Sequence, residues 1–161
     1  MTSIHDGGDV ATIGTRHLFT IDIDVQHPAV LGDFPHGERR LVVFDRGTFT
    51  GPGVSGTLAA GGVDWQHVRP DGVVEIDAHY LLVTDEGENI EVHSQGVRSA
   101  APEVAARMLR GEIPDPSEYY FRTFIRLSSS APRWTHLNGT IALSRGRRKQ
   151  GGVVIEVHEV L

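Results

Sequence analysis

Asp77 and His79 stand two residues apart, and the same acid-x-His spacing recurs at Glu91/His93 and Glu156/His158. On a β-strand, residues i and i+2 share a face. Each pair therefore offers a carboxylate that can orient an imidazole and raise its basicity near neutral pH. Asp77 with His79, flanked by Glu75, is the acid/base unit this pattern favours. A solvated outer face also reads as polar residues at alternate positions, so that alternative stays open. Paired ligands on one strand would suit a metal ion as well. However, the pairs fall on separate strands, no His-x-His occurs and the chain has no cysteine. No metal is expected.

Asp64 follows the glycines of a GGVDW run, where it can act as a general base at a pocket mouth with Trp65 as an apolar wall; otherwise it caps a turn through its own side chain. Between Tyr119 and Ser128 the residues Tyr120, Arg122, Phe124 and Arg126 alternate with Tyr119, Phe121, Thr123, Ile125 and Leu127. The second set reads as core. Arg122 is then the expected lumen anchor for a substrate anion or a developing oxyanion, with a structural ion pair to an acid such as Asp77 as the other reading. Trp134, His136 and Asn138 share a face if one strand runs through them, whereas Asn138-Gly139 would otherwise mark a hairpin turn. The candidate catalytic residues are Asp64, Asp77, His79 and Arg122. The candidate substrate-binding residues are Trp65, Tyr80, Arg98, Tyr120, Trp134, His136 and Asn138.

Alternation of apolar and polar residues predicts the strands that must carry these side chains. They cover Arg16–Val25, Arg39–Asp45, Gly47–Ala60, Val73–Thr84, Asn89–Arg98, Tyr119–Ser128, Trp134–Ser144 and Val153–Val160, separated by Gly, Pro and Asp-rich turns. Gly51, Gly53, Gly56, Gly61 and Gly62 suggest that the third segment is one strongly coiled strand. A short helix is expected over Pro102–Arg110, with proline in its first turn, Val104, Met108 and Leu109 as its apolar stripe, and Gly111 past its end. Many strands and so little helix point to an all-β closed antiparallel barrel, in which closure removes exposed edges.

At 161 residues the chain has the length of one domain. Residues 1–14 lack periodicity and read as a loose tail, leaving 15–161 as the barrel. No apolar run approaches the ~20 residues of a membrane helix, and the start shows no secretory signal, so a cytoplasmic protein with no membrane partner is expected. A net charge of −6 argues against a nucleic-acid partner. Arg145–Lys149, the one basic cluster, reads as a hairpin tip. The absence of cysteine excludes disulfides and thiol nucleophiles.

Four stretches in order carry a family resemblance: GTFTGPGVSGTLAAGGVDW from Gly47 to Trp65, DGVVEIDAHYLLVTDEGENIEV from Asp71 to Val92, YYFRT from Tyr119 to Thr123, and WTHLN from Trp134 to Asn138. With these, the chain resembles the domain of unknown function 3237 family of bacterial and fungal proteins. The resemblance implies a calycin-like β-barrel with an internal pocket and no nucleotide or metal cofactor. It also suggests cofactor-free decarboxylation, isomerisation or cyclisation in aromatic catabolism or natural-product pathways. The chain departs from the family pattern at His79, where relatives carry arginine, at His136 within a Tyr-x-Trp-Leu-Asn run, and at Arg126-Leu127-Ser128, where relatives carry Phe-Glu-Thr. The expected function is a cofactor-independent lyase, isomerase or cyclase acting on an aromatic or polyketide-like small molecule, with a non-catalytic metabolite- or lipid-binding barrel as the alternative. A homodimer stands as the alternative assembly to a monomer.

Overall fold

Strands form where the chain alternates, and the structure, a computed structural model, describes residues 12–161. Most of the expected tail, residues 1–11, lies outside the described residues. The ten strands are β1 (Thr15–Val25), β2 (Ala29–Phe34), β3 (Gly37–Gly51), β4 (Val54–Leu58), β5 (Val63–Val68), β6 (Val74–Thr84), β7 (Asn89–Ala100), β8 (Tyr119–Ser128), β9 (Ile141–Lys149) and β10 (Gly152–Val160). One helix, α1 (Pro102–Leu109), and two 3-10 segments, Pro116–Glu118 and Pro132–Gly139, complete the fold.

All pairings are antiparallel, and the order β1-β10-β9-β8-β7-β6 continues through β4 and β5 to β3, which returns to β1. The sheet thus closes into a barrel with eight strand positions. β4 and β5 share one position end to end, each bridging β6 and β3. β2 lies outside the ring, paired with the first residues of β3. Closure leaves the ring no open edge.

The apolar residues of each alternating set face inward. Phe19, Ile21 and Ile23 of β1, Ile76, Ala78, Tyr80 and Leu82 of β6, Ile90 and Val92 of β7, and Phe121, Ile125 and Leu127 of β8 are buried in one cluster. Each large side chain so buried contributes about 1.5–3 kcal/mol. Gly51 allows β3 to cross β1 closely, because a Cβ there would stand 2.0 Å from the Leu18 carbonyl oxygen.

Several expectations are corrected. Gly47–Ala60 is a hairpin, not one coiled strand, because Gly53 adopts φ 68° and turns the chain between β3 and β4. Gly61–Trp65 is not a turn carrying Asp64 and Trp65; both lie within β5. Arg145–Lys149 is the end of β9, and the tip falls at Gln150–Gly151. Leu109 is exposed, so Val104 and Met108 alone anchor α1.

The largest correction is Pro132–Gly139, which is 3-10 helix where a strand through Trp134, His136 and Asn138 was expected. Pro132 opens it in the first turn, and Trp134 and Leu137, three residues apart, both bury. That spacing fits three residues per turn. The turn plugs one end of the barrel: Trp134 packs edge-on against Phe19 with ring centroids 5.8 Å apart. Among the described residues no helix is long and apolar enough to cross a membrane.

Candidate functional site

The two ends of the barrel differ in kind. Around Trp134 the interior is apolar, but toward the other end the inward positions turn polar. On β5, alternation aims Asp64 and Gln66 inward and leaves Trp65 exposed outside. On β3, the inward series that starts at Phe44 and Val42 runs on to Arg40 and Glu38, since Val42 pairs with Asp64 and Arg40 with Gln66. β7 contributes Arg98 above Gly96, and β9 contributes Arg148 beyond Ser144 and Gly146.

Asp64 is only 7% exposed. Its Oδ2 accepts a 2.6 Å hydrogen bond from Gln66 Nε2, and its Oδ1 accepts one of 3.1 Å from the Asp77 backbone N–H. Burial nevertheless wins over these donors and over the nearby Arg98 charge, and the carboxyl is raised above the ordinary aspartate value. Burial also lowers the Arg98 guanidinium to about 10, helped by the like charge of Arg148 and opposed by Asp64. Arg98 stays cationic at neutral pH. Tyr80, inward and buried beside Phe44 at 5.3 Å, is pushed above its usual value by burial and by Asp64, so its hydroxyl keeps its proton. Arg40 pairs with Glu38, and the Tyr119 hydroxyl accepts from the Arg148 backbone N–H at 2.9 Å.

An acid with a raised pKa beside a fixed cation can exchange a proton with a substrate and stabilise the negative charge that results. Next to this end runs an open groove of about 460 Å³ lined by Ser99, Ala100, Ala101, Ser117, Glu118, Tyr119 and Tyr120. Tyr119 belongs to both. A second open groove, of about 280 Å³ and including His79 and Glu91, lies on the outer side.

Of the residues singled out from sequence, this polar end brings together Asp64, Tyr80 and Arg98. The others stand elsewhere. Asp77 and His79 occupy the outer face of β6, where His79 Nε2 bonds Glu91 at 2.6 Å and His93 Nε2 bonds Asp77 at 2.7 Å. Strand parity decides this: the apolar set Val74, Ile76, Ala78, Tyr80 and Leu82 takes the inside. Arg122 is also outside, contrary to the expectation that it faces the lumen, because Tyr119, Phe121 and Thr123 fill the inward positions of β8. Its Nη1 donates to the Phe121 carbonyl at 2.9 Å and its guanidinium lies 5.1 Å from the exposed Tyr120 ring.

Trp134 is at the plugged end, donating from Nε1 to Glu88 at 2.7 Å, with His136 on the exposed side of the same turn. Asn138 ties that turn to Ser129, accepting from its N–H at 2.9 Å and donating to its carbonyl at 2.8 Å. Sequence reasoning missed Gln66, Arg40, Glu38, Arg148 and Tyr119 as members of the polar end. Counting by twos from Phe44 and from Asp64 would have found the first three. Among the described residues no group of three or more His, Asp or Glu side chains is arranged to hold a metal ion.

Known proteins bear out the fold. The family model described as protein of unknown function, DUF3237, matches residues 13–160. A UPF0311 protein of Rhodopseudomonas palustris is 33% identical over 93% of this chain and 98% of its own. One from Clostridium acetobutylicum is 29% identical over 94% and 97%. Among solved structures, a conserved protein of unknown function from Rhodopseudomonas palustris superposes with a TM-score of 0.89 at 32% identity, covering 94% of this chain and 100% of that one. A β-barrel-like protein from Acinetobacter baumannii gives 0.82 at 29% identity, covering 95% and 99%. A protein from Penicillium herquei, called an enzyme, shares the fold at a TM-score of 0.72 and 19% identity, covering 96% and 99%.

Proposed function

The chain belongs to the DUF3237 family of proteins of unknown function, and from that premise we propose that it is a cofactor-independent enzyme that moves a proton on a small organic substrate at the polar end of its barrel. One observation carries the reading: the buried Asp64 carboxyl, raised by burial, shares the polar end of the barrel with the cationic Arg98, whose charge it feels. As a carboxylate, Asp64 takes a proton from a carbon next to a carbonyl; the C–H electron pair becomes the new carbon–carbon double bond, the C=O π pair moves to oxygen, and the enolate so formed lies in the field of Arg98. Returning the proton at another atom completes an isomerisation, and where a β-keto acid instead loses CO2, the C–C pair forms the same enolate and protonated Asp64 supplies the proton to its carbon. Tyr80 and the apolar wall of Phe44, Ile76 and Phe121 exclude water, which strengthens the charge interactions. The apolar character of this wall suits an aromatic or polyketide-like substrate.

The reading is tested by deuterium uptake. Incubation in heavy water with a panel of aromatic and polyketide-like ketones, followed by mass spectrometry, should show the wild type labelling a carbon next to a carbonyl, and Asp64→Asn should lose this while remaining folded. The second reading, a binding barrel without chemistry, is favoured by the largely apolar interior that runs from Phe19 to Tyr80. Tight binding of a ketone without any exchange would select it.

A further inference from the structure

We propose that Arg98 and Arg148 form a clamp for a carboxylate, so that the ligand of this end is an organic acid. The proposal deepens the reading above and rests on it for the location of the substrate.

Arg98 and Arg148 project inward from β7 and β9, the two strands that flank β8. Between them stand Phe121, whose ring lies against Gly146 so closely that a Cβ there would meet it at 2.5 Å, and Tyr119, whose hydroxyl holds the Arg148 backbone N–H. These contacts fix the strand positions from which both guanidiniums extend. Neither side chain has an ion-pair partner among the described residues, whereas Arg40, the third cation of this end, is paired with Glu38. Asp64 does not fill the role, since its two oxygens are engaged by Gln66 and by the Asp77 N–H.

The donors of the two arginines are not sealed in protein either. Among the described residues, the one fully buried side-chain nitrogen or oxygen without a partner is Arg39 Nε, so the unpartnered nitrogens of Arg98 and Arg148 keep some contact with solvent. Two like charges at a half-buried site repel each other; burial lowers the Arg98 value first, and the like charge of Arg148 adds to it. A carboxylate bridging two planar guanidiniums removes the repulsion and meets their paired N–H donors in plane. Charge favours an acid: two arginines without ion-pair partners bring positive charge to this end, which a carboxylate offsets. The groove that shares Tyr119 gives the rest of the acid a place outside the lumen.

The experiment is calorimetric titration of the full chain with benzoate, benzamide and inorganic phosphate, in the wild type and in Arg98→Gln, Arg98→Lys, Arg148→Gln and Asp64→Asn. Benzoate should bind the wild type at millimolar concentrations or below, about tenfold or more tightly than neutral benzamide, and more tightly than phosphate. Arg98→Gln and Arg148→Gln should each weaken benzoate by about tenfold or more, as loss of a charged hydrogen-bond partner implies; Arg98→Lys should fall between, and Asp64→Asn should retain binding.

Benzoate affinity unchanged in either glutamine variant, equal binding of benzamide, tighter binding of phosphate, or no benzoate binding by the wild type overturns the clamp. Where a variant fails to fold, the benzoate–benzamide contrast on the wild type still decides. Loss of the clamp with deuterium exchange intact sinks only this proposal, while Asp64→Asn that binds benzoate and still exchanges sinks the acid/base reading alone.

Discussion

Replacing Asp64 separates the energetic cost of a functional carboxyl from its use. Folding takes this group out of water, and its raised value means that the folded protein holds the proton more tightly than the unfolded chain. Its contribution to stability is therefore fully present below the unfolded value near 3.8 and is lost as pH rises through the raised folded value. Each unit of elevation corresponds to about 1.4 kcal/mol of destabilisation at neutral pH. Asp64→Asn removes that penalty while keeping an acceptor for the Asp77 N–H at 3.1 Å. The one bond at risk is that from Gln66, 2.6 Å away, which survives if the Gln66 amide turns its oxygen toward the new side-chain NH2. Asp64→Asn should accordingly melt at or above the wild type at pH 7. Asp64→Ala strands both donors and should cost about 2–4 kcal/mol, or roughly 4–16 °C for a chain of this size at about 2–4 °C per kcal/mol. The assay is thermal unfolding of the three proteins from pH 4 to pH 8. If Asp64→Asn loses as much as Asp64→Ala, or if the wild type gains on Asp64→Asn as pH rises, burial does not dominate at this carboxyl and the argument fails.

Trp134→Ala should lose about 3–5 kcal/mol, as expected for a buried aromatic, because the indole plugs the apolar end and satisfies Glu88; chemical denaturation measures it, with ligand binding at the far end preserved. Arg122→Ala should change stability by no more than about 0.5 kcal/mol and leave benzoate binding intact, which calorimetry on that variant checks. Gly51→Ala places a methyl 2.0 Å from the Leu18 carbonyl and should fail to fold or lose several kcal/mol by circular-dichroism melting, more than the ~1–3 kcal/mol of ordinary overpacking. Exhaustive chelation should leave deuterium exchange unchanged, and zinc added afterwards should not raise it.

Strand existence was legible wherever apolar and polar residues alternate, as along β1, β6, β8 and β10. Alternation names two faces, yet it does not say that a polar face holding Asp77, His79 and Glu75 is the outer one. Only the closure of the sheet decides that, and it relegates the acid-histidine pairs and Arg122 to solvent. The polar end was hidden for a related reason. Its members come one or two at a time from β3, β5, β6, β7, β8 and β9, up to 110 positions apart between Glu38 and Arg148, so no local motif gathers them. Pro132–Gly139 misled because Trp134, His136 and Asn138 fit an alternating series, while the competing three-residue spacing of Trp134 and Leu137 is too short to stand out.

The pairing of β1 with β10 has a consequence for how the protein is made. β1 leaves the ribosome first, but the partner along one of its sides lies at residues 152–160, near the last of the described residues. Until that segment emerges, β1 can pair only with β3, and the growing sheet is a curved ribbon with two bare edges and its apolar face uncovered. Contacts this distant in sequence form slowly, and unpaired edges recruit other chains. Expression temperature and chaperone supply will therefore decide the yield of soluble protein more than the stability of the finished barrel does, and a stalled or truncated chain lacking β10 should aggregate even though most of its sequence is intact.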